Sequence, residues 1–176
     1  MSTTLPERVS PDASVRSFRH PTASPQGALH NALRVGALVS LTGVACGLWF
    51  ARSAEVGPHF KFLWWNLFLA WVPWVVSITL RHTKRLFWPL FAVWLAFFPN
   101  APYLLTDLIH LKPRAGVPLW FDVLLFASFA FAGCAVGWDS LWDVQRELRA
   151  RIGVKPAAAI ITACVALTGV GVFLGR

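Results

Sequence analysis

The run WLAFFPNAPYLLTDLIHLKPRAG, residues 94–116, gathers side chains able to do chemistry inside an otherwise apolar chain. Tyr103, Thr106, Asp107 and His110 fall at i, i+3, i+4 and i+7. That spacing places them on one face of a helix. Asn100 precedes them, and Asp122 follows after a short basic, Pro-containing turn. Asp107 and His110 with Asp122 as a third ligand form an oxygen–nitrogen set of the kind that holds a divalent metal. The same trio could instead run acid–base chemistry or relay a proton. The ordinary alternative is that Asp107 caps a helix or pairs with Lys112 or Arg114, while His110 rests at an interface. Three metal ligands are needed and only two have fixed spacing, so no cofactor is evident and a divalent metal stands as an open candidate. Asp107 is the stronger functional candidate, because an ionisable group near membrane depth is expensive to keep.

The elements around this stretch must hold it in place. Pro99 and Pro102 disfavour helical geometry at the residues before them, so the third apolar run is expected to break near Asn100. Pro102 is suited to open a new helical segment. Irregular backbone at that depth requires cover from protein or a watery cavity. In the second run, Asn66 and Pro73 share a face. Asn66 is expected to bond across to a neighbouring helix, or to join the polar site from the same side. Asp139 lies 17 positions beyond Asp122, about 25 Å along a helix, so the two belong to opposite ends. Asp139 and Asp143 are expected to pair with Arg81, Arg85 or Arg146.

Composition fixes the setting. Of 176 residues, 56% are apolar and 14% charged, with a mean hydropathy of +0.57. Soluble domains carry about 25% charged residues. Five runs are long enough, or nearly so, to cross a bilayer: 32–51, 62–80, 86–105, 119–142 and 157–174. Their apolar stretches are continuous, which excludes the alternation of a barrel. The fold expected is an all-α polytopic transmembrane bundle of five spans, with the third helix broken at Pro99–Pro102. The net charge of +8 reads as topology, with no call for nucleic acid, because the basic residues cluster at run ends. Their distribution favours a cytoplasmic N-terminus. Arg52 counts among the minority, outer-side cations. Residues 1–30 are rich in Ser, Thr and Pro and are expected to form a disordered cytoplasmic tail ahead of a membrane domain over 31–176. Cys46, Cys134 and Cys164 lie inside apolar runs without metal or redox spacing.

Three glycine pairs have the spacing that lets helices approach closely: Gly43 with Gly47, Gly133 with Gly137, and Gly171 with Gly175. They can serve packing within the chain, a homo-oligomer or a membrane-protein partner. Three functions are compatible with these features. The first is a small binding or transport component with a polar site at the extracytoplasmic face, built on Asn100, Asp107 and His110 with Asp122 in support and Tyr103 on the same face. The second is a membrane enzyme acting on a lipid headgroup or envelope substrate, with His110 as base. The third is an assembly partner packing through the glycine faces.

The run FFPNAPYLLTDLIHL, with NLFLAWVP before it and PLWFDVLLFASFAFAG and GVGVFLGR after it, resembles the DUF1361 family of bacterial membrane proteins of unknown function. The resemblance covers about residues 60–176. It implies a bacterial inner membrane and supplies no chemistry. The family's pattern is expected to continue past Arg176, which would add a sixth span if the chain is incomplete.

Overall fold

A computed structural model describes residues 25–113 and 116–174. Two compact units are distinguished, residues 1–35 and 36–176. Among the described residues the first contributes only the opening turns of α1, residues 25–35, and the second holds the rest of α1 and every other element. The elements are α1 (Pro25–Val56), α2 (Lys61–His82), α3 (Phe87–Phe97), α4 (Asn100–Tyr103), a 3-10 turn (Thr106–His110), α5 (Leu119–Ile152) and α6 (Val154–Leu174). Helix α1 starts at Pro25, a position where the missing proline N–H costs nothing, so residues 25–30 are helical rather than part of an unstructured tail. The remainder of the expected tail, 1–24, lies outside the described residues.

Four helices, α1, α2, α5 and α6, are each long and apolar enough to cross a membrane. The third run is a composite. Phe98 and Pro99 stay right-handed helical, with φ,ψ of −55°, −37° and −58°, −23°. The expected departure from helical geometry before Pro99 is therefore not seen. What changes is the hydrogen-bond ladder. Pro99 and Pro102 have no N–H to donate, and the chain tightens around them. The N–H of Ala101 reaches the carbonyl of Phe98 at 3.1 Å, and that of Leu105 reaches Pro102 at 3.1 Å. The same i→i−3 bonding carries on through Asp107 and Leu108.

Residues 87–110 run antiparallel to α2 along its length. Phe87 shares a buried cluster with Leu80 at one end, and His110 faces Phe62 at the other. Helix α2 buries Leu63, Leu67, Ala70, Pro73, Ser77 and Leu80, a seven-residue pattern that faces the composite element and α5. Helix α5 is the hub, burying an i, i+3, i+4, i+7 stripe from Asp122 to Leu148. Here the glycines matter. A Cβ added at Gly137 would meet the Ala101 Cβ at 2.5 Å, and one at Gly133 would overlap Leu104. This pair lets α4 seat directly on α5, within the chain. Gly43, Gly47 and Gly171 have nothing within 4 Å of such a Cβ, and Gly175 lies outside the described residues. Helix α6 docks on α5 through Ala157, Ile161 and Cys164. Helix α1 buries only Leu38, Ala45 and Arg52.

Candidate functional site

The polar groups meet at one end of the bundle, where α1 and the 3-10 turn finish and α2 and α5 begin. The amide of Asn66 on α2 donates to Asp107 Oδ2 at 2.9 Å. Asp107 is 3% exposed, which is unusual for a carboxylate unless it is partnered. It is buried because the tightened chain after Pro102 turns its side chain toward α2. Asn66 thus bonds across to a neighbouring element, the 3-10 turn that holds Asp107 and His110.

His110 stands one turn further on and is exposed. Its Nδ1 lies 3.3 Å from the backbone carbonyl of Asp107, so the Asp107 carboxylate is not its hydrogen-bond partner. The ring tilts against Phe62 at 5.4 Å between centroids. The amide of Asn100 donates to the Phe97 carbonyl at 2.9 Å and closes the end of α3. The Tyr103 carbonyl accepts the Thr106 hydroxyl at 2.7 Å, and the Phe98 carbonyl that Pro102 leaves free is taken up by Ala101.

Asp122 belongs elsewhere. Arg52 Nε and Nη2 bind its two oxygens at 2.5 and 3.2 Å. Both side chains are almost fully buried, at 1% and 2% exposure. A forked guanidinium suits a carboxylate in this geometry. The Asp107–His110–Asp122 metal trio is therefore not assembled. No group of three His, Cys, Asp or Glu residues that could hold a metal occurs among the described residues, and the third ligand's oxygens are engaged by arginine. Phe60, Phe62 and Phe126 lie between the two polar pairs, with ring contacts of 4.8 to 6.2 Å.

Arg52 was missed as a site residue because it closes an apolar run, where a cation normally marks the membrane surface. One signal could have found it. Arg52 follows Ala45 by seven positions and Leu38 by fourteen, on the single face that α1 buries. The loop ahead of α2 is shaped around it. Phe60 sits in the left-handed region at φ 58°, ψ 37°, which costs a residue with a Cβ roughly 1–2 kcal/mol. That strain places its ring 4.6 Å from the Arg52 guanidinium carbon. The Trp49 indole holds the loop by donating to the His59 carbonyl at 2.8 Å.

At the opposite end Arg81 pairs with Asp143 at 3.5 Å, as expected. Asp139 accepts the Trp74 indole N–H at 2.7 Å. An apolar groove of about 450 Å³ lies between the composite element, α5 and α6, lined by Ala101, Pro102, Cys134, Gly137 and Val165 among others. Its lining is almost wholly apolar, with Thr106, Thr168 and the Cys134 thiol among the few polar side chains.

A buried carboxylate bonded across helices, inside a bundle with four apolar spans, defines a multi-pass membrane protein with a polar contact at one end. The profile of the family described as Protein of unknown function (DUF1361) matches residues 65–176, and the chain belongs to that family. No curated protein and no solved structure matches it. The matched segment contains Asn66, Asp107, His110 and Asp122. Arg52 precedes it.

Proposed function

We propose that the chain is a small binding or transport component of the bacterial inner membrane, with its N-terminus cytoplasmic and its site at the extracytoplasmic face. Asp107 carries the charge or proton that the site exchanges. The observation that supports this reading is the Asn66–Asp107 bond, in which a buried carboxylate has one oxygen oriented from a neighbouring helix. A charge kept at such depth is costly and is a functional candidate by default. Asn66 fixes the carboxylate without neutralising it. His110, exposed beside it, provides a titratable group through which a proton reaches the surface. Small cations and protons are the ligand class this arrangement suits.

The test uses the full chain in liposomes loaded with a pH-sensitive dye. Pulses of sodium, potassium or ammonium are compared between the native chain and Asp107→Asn. Cation-dependent proton movement that disappears in the variant, with an unchanged thermal midpoint, is the expected result. No movement in the native chain, or equal movement in both, removes the assignment. If Asp107→Asn does not fold, Asn66→Ala gives the same comparison with the carboxylate retained.

A further inference from the structure

The apolar groove between the composite element, α5 and α6 is closed at one end and open along one side. At the closed end Trp94 and Phe98 of the composite, Val144 of α5, and Ile161 and Cys164 of α6 belong to one buried cluster. Further along the composite, the buried cluster that takes in Ala101 and Leu104 contains no residue of α6 among the described residues. The composite and α6 therefore meet near Phe98 and part toward Thr106. Their separation leaves about 450 Å³ over a floor that includes Cys134 and Gly137 of α5. Leu105, Trp138 and Val165 on its walls are 54%, 70% and 46% exposed, so the groove opens sideways, toward the lipid around the spans.

Chemistry and size limit what fills it. Two hydroxyls lie on the lining, and each is engaged within its own element. Thr106 donates to the Tyr103 carbonyl at 2.7 Å, and Thr168 to the Cys164 carbonyl at 2.9 Å. A water held in a cavity needs about two to four polar partners, which this lining does not offer. An empty groove is also unfavourable, because lining atoms without neighbours forfeit their dispersion contacts. Hydrocarbon meets both conditions. The groove follows residues 134–141 of α5 and 165–172 of α6, about 10 Å at the rise of a helix. Two turns of a helix about 10 Å across would occupy about 850 Å³, so a helix does not sink into it. A single flexible chain does, over about a third of the ~30 Å hydrocarbon core.

We propose that this groove holds one acyl chain of a bilayer phospholipid, lying along α5 between the composite and α6. The chain fills the space that the diverging elements leave and joins α6 to the composite beyond Phe98. The site is independent of Asp107, which turns toward α2 and does not line the groove. Two glycines of α6 separate this occupant from lipid that merely surrounds the protein. A Cβ added at Gly169 or at Gly171 would meet nothing within 4 Å, yet of the two it is Gly169 that lines the groove. Gly169→Phe should fill the groove, whereas Gly171→Phe should leave it open.

The experiment reconstitutes the full chain with phosphatidylcholine carrying a diazirine on its acyl chain. The protein is then transferred to lipid-free detergent, irradiated and mapped by peptide mass spectrometry. Adducts are expected on the groove segments, residues 134–141 and 165–172. Their yield should fall roughly tenfold in Gly169→Phe, equivalent to about 1.4 kcal/mol, and stay unchanged in Gly171→Phe. Adducts spread evenly over the outer faces of α1 and α2, equal yields in the two variants, or no adducts in the native chain would each overturn the proposal. A dimer of the native chain that Gly169→Phe dissociates also overturns it, because the groove would then receive a second copy. If Gly169→Phe does not fold, Val165→Trp makes the same comparison from the facing wall.

Discussion

Two carboxylates at the same end of the bundle are held in different ways. Asp122 is fully engaged by a buried arginine, whereas Asp107 receives one neutral amide. Removing one partner of a buried ion pair leaves the other charge stranded, at a cost of about 3–5 kcal/mol. Arg52→Met should therefore lower stability by that amount. The double variant Arg52→Met with Asp122→Leu should recover most of it, and chemical denaturation in micelles measures both. Asn66→Leu is expected to cost less, about 1–3 kcal/mol, because a carboxylate that loses one hydrogen bond can take up a proton. Asp107 was legible in the sequence because an acidic residue flanked by LLT and LIH has no ordinary place in an apolar run. The Arg52–Asp122 pair was not legible. Its members are 70 residues apart, and no local spacing links a residue at the end of one run to a residue at the start of another.

At the level of elements, the small residues of α5 set the position of the polar turn. Ala101 and Leu104 fit against Gly137 and Gly133, which fixes the height at which Asp107 meets Asn66. Gly137→Val should overpack this contact and destabilise by about 1–3 kcal/mol. Gly43→Val, on an open face, should leave the thermal midpoint of the isolated chain unchanged. A midpoint equally low in both would place the α1 face inside an assembly. The helices themselves were legible from apolar runs of membrane length. Their inventory was less so. Two prolines three residues apart suggest a broken rod, yet packing of Phe98 against Trp94, with centroids 4.6 Å apart, keeps the backbone helical. The prolines then shift the ladder's register and leave its direction intact. Which glycine pair is filled also depends on the partner helix, and glycine spacing alone does not carry that information.

For the molecule as a whole, four continuous helices among the described residues are long and apolar enough to cross a membrane, and the expectation that residues 87–110 make a fifth pass beside α2 is open to test. Single cysteines placed at His59 and Gly116, in a chain whose native cysteines are replaced, should react with an impermeant thiol reagent from one side of the membrane. Cysteines at Lys84 and Gly153 should react only from the other. Labelling of Lys84 and Gly116 from the same side would reduce the passes to four. The buried Arg52–Asp122 pair also bears on how the chain is made. At about 5–20 residues per second, the 70 residues that separate the two take about 4–14 s to emerge. Arg52 leaves the ribosome long before its counter-ion exists. Until α5 arrives, the end of α1 has to stay among lipid headgroups or in the aqueous part of the insertion machinery. The end of the first helix is thus completed by a helix synthesised only after α2 and the whole of residues 87–110.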